Sequence, residues 1–281
     1  MQEKENKVID VEKLIHSKNP KLKKWLPGFI IRYLKKILHE DEVNHFLENH
    51  KNDSGHEFCE AAVNHLDMKV VVNGIERIPK VGPVVITMNH PLGGMDAVAF
   101  IHALKNHRKD LKFIVNDVLM HLTNLQPFFV GVNKYGRNEK SARIQIMELF
   151  ESDHAICIFP AGLVSRKSKG IVQDLEWKKT FMTYALKYQI PILPVYIEGE
   201  LSNFFYRLSN FRKFFGIKAN VEMLYLANEL FKQRNKTITF EVGALINTSQ
   251  LDATKGDHLL AQEIKSEVYQ IKNEGRSNTT H

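Results

Sequence analysis

The spacing of apolar residues changes along this chain. From Lys21 to Leu38, Trp25, Leu26, Phe29, Ile30, Tyr33, Leu34, Ile37 and Leu38 recur at helical intervals, which predicts an amphipathic helix. Lys24, Arg32, Lys35 and Lys36 lie off that stripe, no acid occurs in the segment, and Pro27-Gly28 predicts an interruption. Residues 1 to about 20 read as frayed or loosely helical, and Asp41 to Leu66 as a second helical region richer in acid. Near Met68 the pattern shortens. Val70-Val71-Val72 and Val84-Val85-Ile86 are β-rich runs separated by Gly74, Pro79 and Gly82-Pro83. Beyond them strands and helices alternate. Leu111–Val115, Phe128–Val132, Ala155–Phe159, Ile192–Ile197 and Thr237–Val242 read as strands. Asp96–His107, Asp117–Leu125, Glu139–Glu151, Trp177–Tyr188 and about His258–Ile271 read as helices, with a polar, disordered tail after the last.

This alternation predicts an α/β fold, a mostly parallel central sheet flanked by helices on both faces. The pattern divides the chain into an N-terminal amphipathic helical region (1–67), an α/β domain (68–250) and a C-terminal helix with a polar tail (251–281). In such sheets, sites gather in loops at the carboxyl ends of strands. His90 sits at one such end and Phe159-Pro160-Ala161-Gly162 at another.

Composition narrows the class without choosing it. The chain has 281 residues, 43% hydrophobic and 25% charged, ordinary globular values that allow a full core. Its formal net charge of +7 suits nucleic acid, anionic lipid or anionic substrates alike. No nucleic-acid-binding module is present, and the positive charge clusters on a lipid-type helix, so nucleic acid is not expected as a partner. Cys59 and Cys157 stand outside any CxxC pair or metal-type spacing, which argues against a disulfide scaffold or a metal site and for a reducing cytoplasm. The charged N-terminus is no secretory signal, and no apolar run approaches the roughly 18 residues of a spanning helix. Work on a membrane would therefore be done from its surface. The Lys21–Leu38 helix fits either a lipid interface or packing on the body with its lysines in solvent.

Four clusters carry candidate chemistry. In Asn89-His90-Pro91-Leu92-Gly93-Gly94-Met95-Asp96, the two glycines allow a tight return that brings Asp96 onto the His90 imidazole, the pairing a general base needs. The other reading makes Asp96 an N-cap and His90 a strand-end surface residue. Phe159 to Arg166 follows a buried-type strand. There Gly162 can bring backbone N–H groups to an anion and Arg166 can grip a phosphate or carboxylate, unless the segment is a plain turn with a solvated basic patch. Val130 to Arg137 is a strand and a glycine-bearing loop with two cations, Lys134 and Arg137, and reads equally as a polar surface loop. Pro191 to Ile197 is a proline-framed strand suited to packing or to lining a pocket. His102, His107, His121 and His154 read as surface or satisfied core residues. No HExxH, P-loop or GxSxG pattern occurs, and Ser165 stands too far from Gly162 for a nucleophile elbow.

Taken in order, His-x5-Asp, the glycine loop with cations, Phe-Pro-x-Gly with Arg, and Leu-Pro-Val-x-Ile resemble the glycerolipid acyltransferase family over about residues 68–245. The version here is similar to the bacterial hemolysin-like, lysophospholipid acyltransferase branch, which includes O-acyltransferases of ornithine- and glycine-type lipids. The resemblance implies an enzyme, an acyltransferase of lipid metabolism, in which a hydroxyl attacks an acyl thioester directly. His90 would be the base and Asp96 its orienting partner, with N–H groups around Gly93 and Gly94 as oxyanion donors. Phe159, Pro160, Gly162, Ser165 and Arg166 would hold an anionic acceptor head group, Lys134 or Arg137 would add a second cation, and Leu193 to Ile197 would shape a pocket. The implied donor is acyl-CoA or acyl-acyl carrier protein, with no bound cofactor and no metal. The implied location is peripheral, on the cytoplasmic face of the membrane, docked through Trp25, Phe29, Arg32, Lys35 and Lys36. Two departures stand out: much of the family has His-x4-Asp, and Ala161 replaces a common glutamate. Both suggest an acceptor other than that of phosphatidic-acid synthesis. The competing expectations are a non-catalytic lipid-binding protein on the same fold and a thioesterase- or lipase-like hydrolase.

Overall fold

The computed structural model describes residues 7, 9–18, 26–116, 119–132 and 139–277. The chain divides into two units, Met1–Asp53 with Ser202–Gln233, and Ser54–Leu201 with Arg234–His281. The first unit opens with α1 (Val11–Lys18), α2 (Gly28–Ile37) and α3 (Glu40–Asn49). The second runs α4 (His56–His65), β1 (Lys69–Asn73), β2 (Val84–Met88), α5 (Gly94–Ala103), β3 (Leu111–Asn116) and β4 (Phe129–Val132). It continues through α6 (Glu139–Phe150), β5 (Ala155–Ile158), β6 (Arg166–Ser168), β7 (Ile171–Gln173), α7 (Thr180–Tyr188) and β8 (Ile192–Glu198). The chain then returns to the first unit for α8 (Asn203–Phe214) and α9 (Leu226–Phe231), and ends in the second with β9 (Thr237–Val242) and α10 (Asp257–Ser277).

The second unit is built on a seven-stranded sheet of order β1-β9-β8-β2-β5-β3-β4. Every neighbouring pair is parallel except β8–β9. The predicted mostly parallel sheet is thus observed, with β1 and β9 running opposite to the rest. All five residues of β2 are buried, as a central strand covered on both faces requires. On one face Val85 and Ile156 pack with Trp177, Phe181 and Met182 around α7 and with Leu260, Ile264 and Val268 of α10. On the other, α4 packs on α5, and Phe100 of α5 meets Phe240 of β9 at 5.1 Å between ring centroids.

The pairing of β2 with β5 positions the chemistry. Val84 lies opposite Ala155 and Thr87 opposite Ile158, so the two strands end side by side. The loops that begin at Asn89 and at Phe159 therefore leave the sheet together. On the other flank of β2, β8 is tied beyond the last ladder bond. Asn89 Nδ2 donates to the Ile197 carbonyl at 2.9 Å, and the Ile197 N–H donates back to Asn89 Oδ1 at 2.6 Å.

In the first unit, the N-terminal helices and the 202–233 segment share side-chain contacts. Tyr33 and Tyr225 hydroxyls meet at 2.8 Å, His39 stacks on Phe231 with centroids 4.1 Å apart, and His39 Nε2 is 3.1 Å from Asn228 Oδ1. The helical region expected over 41–66 is broken between Asn49 and His56. Gly55 there takes φ 59, ψ −121, a backbone reserved for glycine, and its N–H donates to the Asn124 carbonyl at 2.8 Å. Of the helix expected over 117–125, residues 117 and 118 lie outside the described residues, and Leu119–His121 and Thr123–Phe128 form 3₁₀ turns. The tail expected after Ile271 is helical to Ser277 within α10.

Candidate active site

Asn89 and His90 follow β2 directly, and Gly94 opens α5 only four residues after His90. The reversal is made at Gly93, whose φ 76 and ψ −137 suit no residue with a Cβ. Asp96 is thereby the third residue of α5 rather than its cap, which is Gly93. Its side chain points back out of the helix start. Asp96 Oδ2 lies 2.9 Å from His90 Nδ1 and accepts the Leu92 N–H at 3.0 Å. The six-residue separation of His90 and Asp96 is absorbed by this glycine turn, and the contact is made.

Asp96 is fully buried, and burial raises its carboxyl above the usual carboxylate range against the opposing pull of His90 and the Leu92 N–H. The helix start also favours negative charge there. The His90 side chain remains 18% exposed. In the tautomer that gives Nδ1–H to Asp96, the lone pair lies on Nε2, the nitrogen turned from the carboxylate.

Phe159 holds the imidazole from another side. It follows β5, and its ring stacks on His90 at 4.1 Å between centroids with a 21° interplanar angle. The backbone of His90 is fixed as well: its carbonyl accepts the Ser165 N–H at 2.8 Å and its N–H donates to Asp174 Oδ1 at 3.2 Å. Asp174 also accepts from Ser165 Oγ at 2.6 Å and from Trp177 Nε1 at 2.9 Å, while its own N–H donates to the Tyr269 hydroxyl of α10 at 2.7 Å. One buried carboxylate thus ties the His90 loop, the Phe159–Arg166 loop and the approach to α7. Burial, with the Asp174 charge beside it, pushes the Tyr269 phenol well above its ordinary value.

The loop residues singled out in the sequence divide by environment. Pro160 is buried and its carbonyl accepts the Lys178 N–H at 3.1 Å. Gly162 is exposed with φ 66, and Lys178 Nζ stands 2.7 Å from where a Cβ on it would be. Ser165 is buried within the Asp174 cluster. Arg166 is also buried, with Nη1 donating to the Val164 carbonyl at 2.7 Å and the Ser165 carbonyl at 3.4 Å, so it braces the loop from within. Leu193 to Ile197 lie in the buried strand β8. Lys134, Arg137 and Trp25 lie outside the described residues. On α2, Phe29 is 65% exposed and Arg32 and Lys36 are exposed, whereas Lys35 Nζ is engaged by Glu12 at 2.6 Å.

Asn89, Asp174, Lys178 and Tyr269 were not anticipated. The faint signals were an acid three residues before a tryptophan and an asparagine immediately before the histidine. Neither thiol is a candidate nucleophile: both are buried, and burial pushes Cys59 up to about 12 and Cys157 further. Among the described residues no group of His, Cys, Asp and Glu could hold a metal ion, and no helix is long and apolar enough to cross a membrane.

Comparison with known proteins places the chain. The sequence pattern of the acyltransferase family matches residues 13–277. The chain is 43% identical over 265 residues to the lyso-glycine lipid O-acyltransferase of Bacteroides thetaiotaomicron, covering 94% of this chain and 97% of that protein. It is 42% identical over 265 residues to the lyso-glycine lipid O-acyltransferase of Phocaeicola vulgatus, covering 94% and 95%. Among solved structures, the 1-acyl-sn-glycerophosphate acyltransferase PlsC of Thermotoga maritima is similar at a TM-score of 0.48 and 20% identity, over 77% of this chain and 78% of that one. With a match over nearly its whole length and an imidazole–carboxylate pair at the mouth of its parallel sheet, the chain belongs to the acyltransferase family.

Proposed function

We propose that the enzyme transfers an acyl chain from a thioester, acyl-CoA or acyl carrier protein, to the hydroxyl of a lyso-glycine lipid at the cytoplasmic face of a membrane. The observation that carries this reading is the 2.9 Å contact between His90 Nδ1 and Asp96, which leaves Nε2 to meet a hydroxyl. The names of two relatives that match end to end support the acceptor.

In this reading Nε2 of His90 takes the acceptor hydroxyl proton as the oxygen attacks the thioester carbonyl. Asp96 stabilises the imidazolium that results. The tetrahedral intermediate collapses, the C–S bond breaks, and the departing thiolate takes the proton back from Nε2. The transfer needs no nucleophile from the protein, which accords with the two inert thiols. The first N–H groups of α5 face the developing oxyanion, and a Cβ added at Gly94 would meet no atom within 4 Å, so that approach is open. The glycine head group, an anion, is received at Gly162, where Lys178 supplies positive charge and Arg166 keeps the loop in shape. Exposed Phe29, Arg32 and Lys36 of α2 are the part of the N-terminal docking surface within the described residues.

The test is turnover with purified protein, a lyso-glycine lipid and each donor. His90→Ala is expected to lower kcat by about 10²–10⁴-fold with an unchanged melting temperature. A folded His90→Ala enzyme with near-normal turnover removes the mechanism. Release of free fatty acid without acylated acceptor makes the chain a thioesterase instead.

A further inference from the structure

Helix α8 is apolar on two sides, and only one of them is buried. Phe205, Tyr206, Ser209 and Arg212 turn inward. Phe211, Phe214 and Phe215 do not: Phe214 is 85% exposed, and the other two are exposed by more than half. The three rings gather at the end of the helix, Phe211 and Phe215 with centroids 4.5 Å apart and Phe214 and Phe215 at 5.1 Å. Exposed Ile217 follows in the turn made by Gly216 at φ 67.

This apolar tip is held in shape from below. Arg212 Nε and Nη2 donate to the two oxygens of Glu222 at 2.5 and 3.0 Å, and Nη1 donates to the Ile217 carbonyl at 3.2 Å. Arg212 also donates to Asn220 Oδ1. Glu222 is fully buried. A two-pronged ion pair therefore folds the turn back on the helix and keeps the phenyl rings outward. The exposed charge along α8 and its following turn is positive. From Leu201 to Val221 the sequence contains Arg207, Arg212, Lys213 and Lys218 and no acid. Arg212 is answered by Glu222, and the remaining three cations are exposed.

We propose that the tip formed by Phe211, Phe214, Phe215 and Ile217 inserts into the interfacial layer of an anionic lipid bilayer, with Lys213 and Lys218 on the head groups. Clustered exposed phenyl rings mark an interaction surface, and rings flanked by cations match the apolar and anionic layers of such an interface. A second copy fits less well, because a two-fold contact through this patch would set the same cations against each other. The proposal deepens the membrane reading given above by naming the element that inserts. Its test reads binding rather than turnover, so its failure leaves the acyl-transfer chemistry standing.

Co-sedimentation of the full chain with phosphatidylglycerol–phosphatidylcholine vesicles, and with phosphatidylcholine alone, provides the measurement. The wild type should prefer the anionic vesicles and lose that preference in high salt. Phe214→Ser with Phe215→Ser should lower partitioning on the order of tenfold or more. Lys213→Glu with Lys218→Glu should lower binding to the anionic vesicles alone. Wild-type partitioning by the folded double-serine variant overturns the proposal, as does equal, salt-insensitive binding to both vesicle types. A wild-type dimer that the serine substitutions dissolve assigns the patch to self-association and overturns it too. Should the serine variant not fold, Phe214→Trp decides: blue-shifted emission on adding anionic vesicles supports insertion, and unshifted emission overturns it.

Discussion

Asp96 costs the fold stability as it ionises. Its carboxyl is raised by burial above the ordinary 3.8, so folding favours its protonated form. The stability this group contributes is complete below about its unfolded value and is lost as pH rises through the folded one. Ionised, it is a buried charge beside the imidazole. Asp96→Asn keeps an acceptor for the Leu92 N–H and removes that charge. We expect the variant to gain on the wild type in urea midpoint as pH rises from the acid range to neutrality, while kcat falls by about 10³–10⁴-fold. A midpoint difference that does not move with pH refutes the linkage. The His90–Asp96 contact was legible from sequence because only six residues, two of them glycines, separate the pair, whereas the stacking of Phe159 on His90 was not, since that ring was expected at the acceptor head group. The ties of Asp174 to His90 and of Asn89 to Ile197 were not either, because those partners are 84 and 108 residues apart, and only the sheet register makes them neighbours.

At the level of elements, the His90–Asp96 geometry depends on how α5 begins. Gly93 holds φ 76, whereas Gly94 lies outside the positive-φ region and has open space where a Cβ would go. Gly93→Ala should destabilise the protein by about 1–3 kcal/mol and depress turnover, since relief of the strain moves Asp96 away from the ring. Gly94→Ala should leave the urea midpoint nearly unchanged. Equal behaviour of the two variants would show that the turn does not set the contact. Continuous apolar runs made β2 and β5 readable, because strands covered on both faces need no alternation. The β6–β7 hairpin passed unnoticed: its strands are three residues each, and the first is Arg166-Lys167-Ser168, which reads as a solvated loop. Helix α8 escaped for the opposite reason. Aromatic residues on two of its sides blur the single stripe by which a surface helix is recognised.

Across the second unit, the last helix completes what the central strands begin. Leu260, Ile264 and Val268 of α10 enter the core beside Val85 and Ile156, and Tyr269 accepts the Asp174 N–H. Lys265 Nζ donates to the Asp174 and Leu175 carbonyls at 2.8 and 3.1 Å, and burial lowers its pKa. Tyr269→Phe removes one buried acceptor and should cost about 1–3 kcal/mol in urea unfolding. An unchanged midpoint would mean that the Asp174 N–H finds another partner. The parallel sheet and its helical cover were legible from periodicity. That α10 braces the loop at the candidate site was not, since amphipathicity tells which side of a helix is buried and not what it covers. Tyr269 is also made 95 residues after the aspartate it supports. While the chain is still on the ribosome, every strand can emerge and pair before this brace exists. The candidate site is thus completed only once α10 has been made, and nascent chains lacking α10 carry the His–Asp pair without the clamp that steadies it.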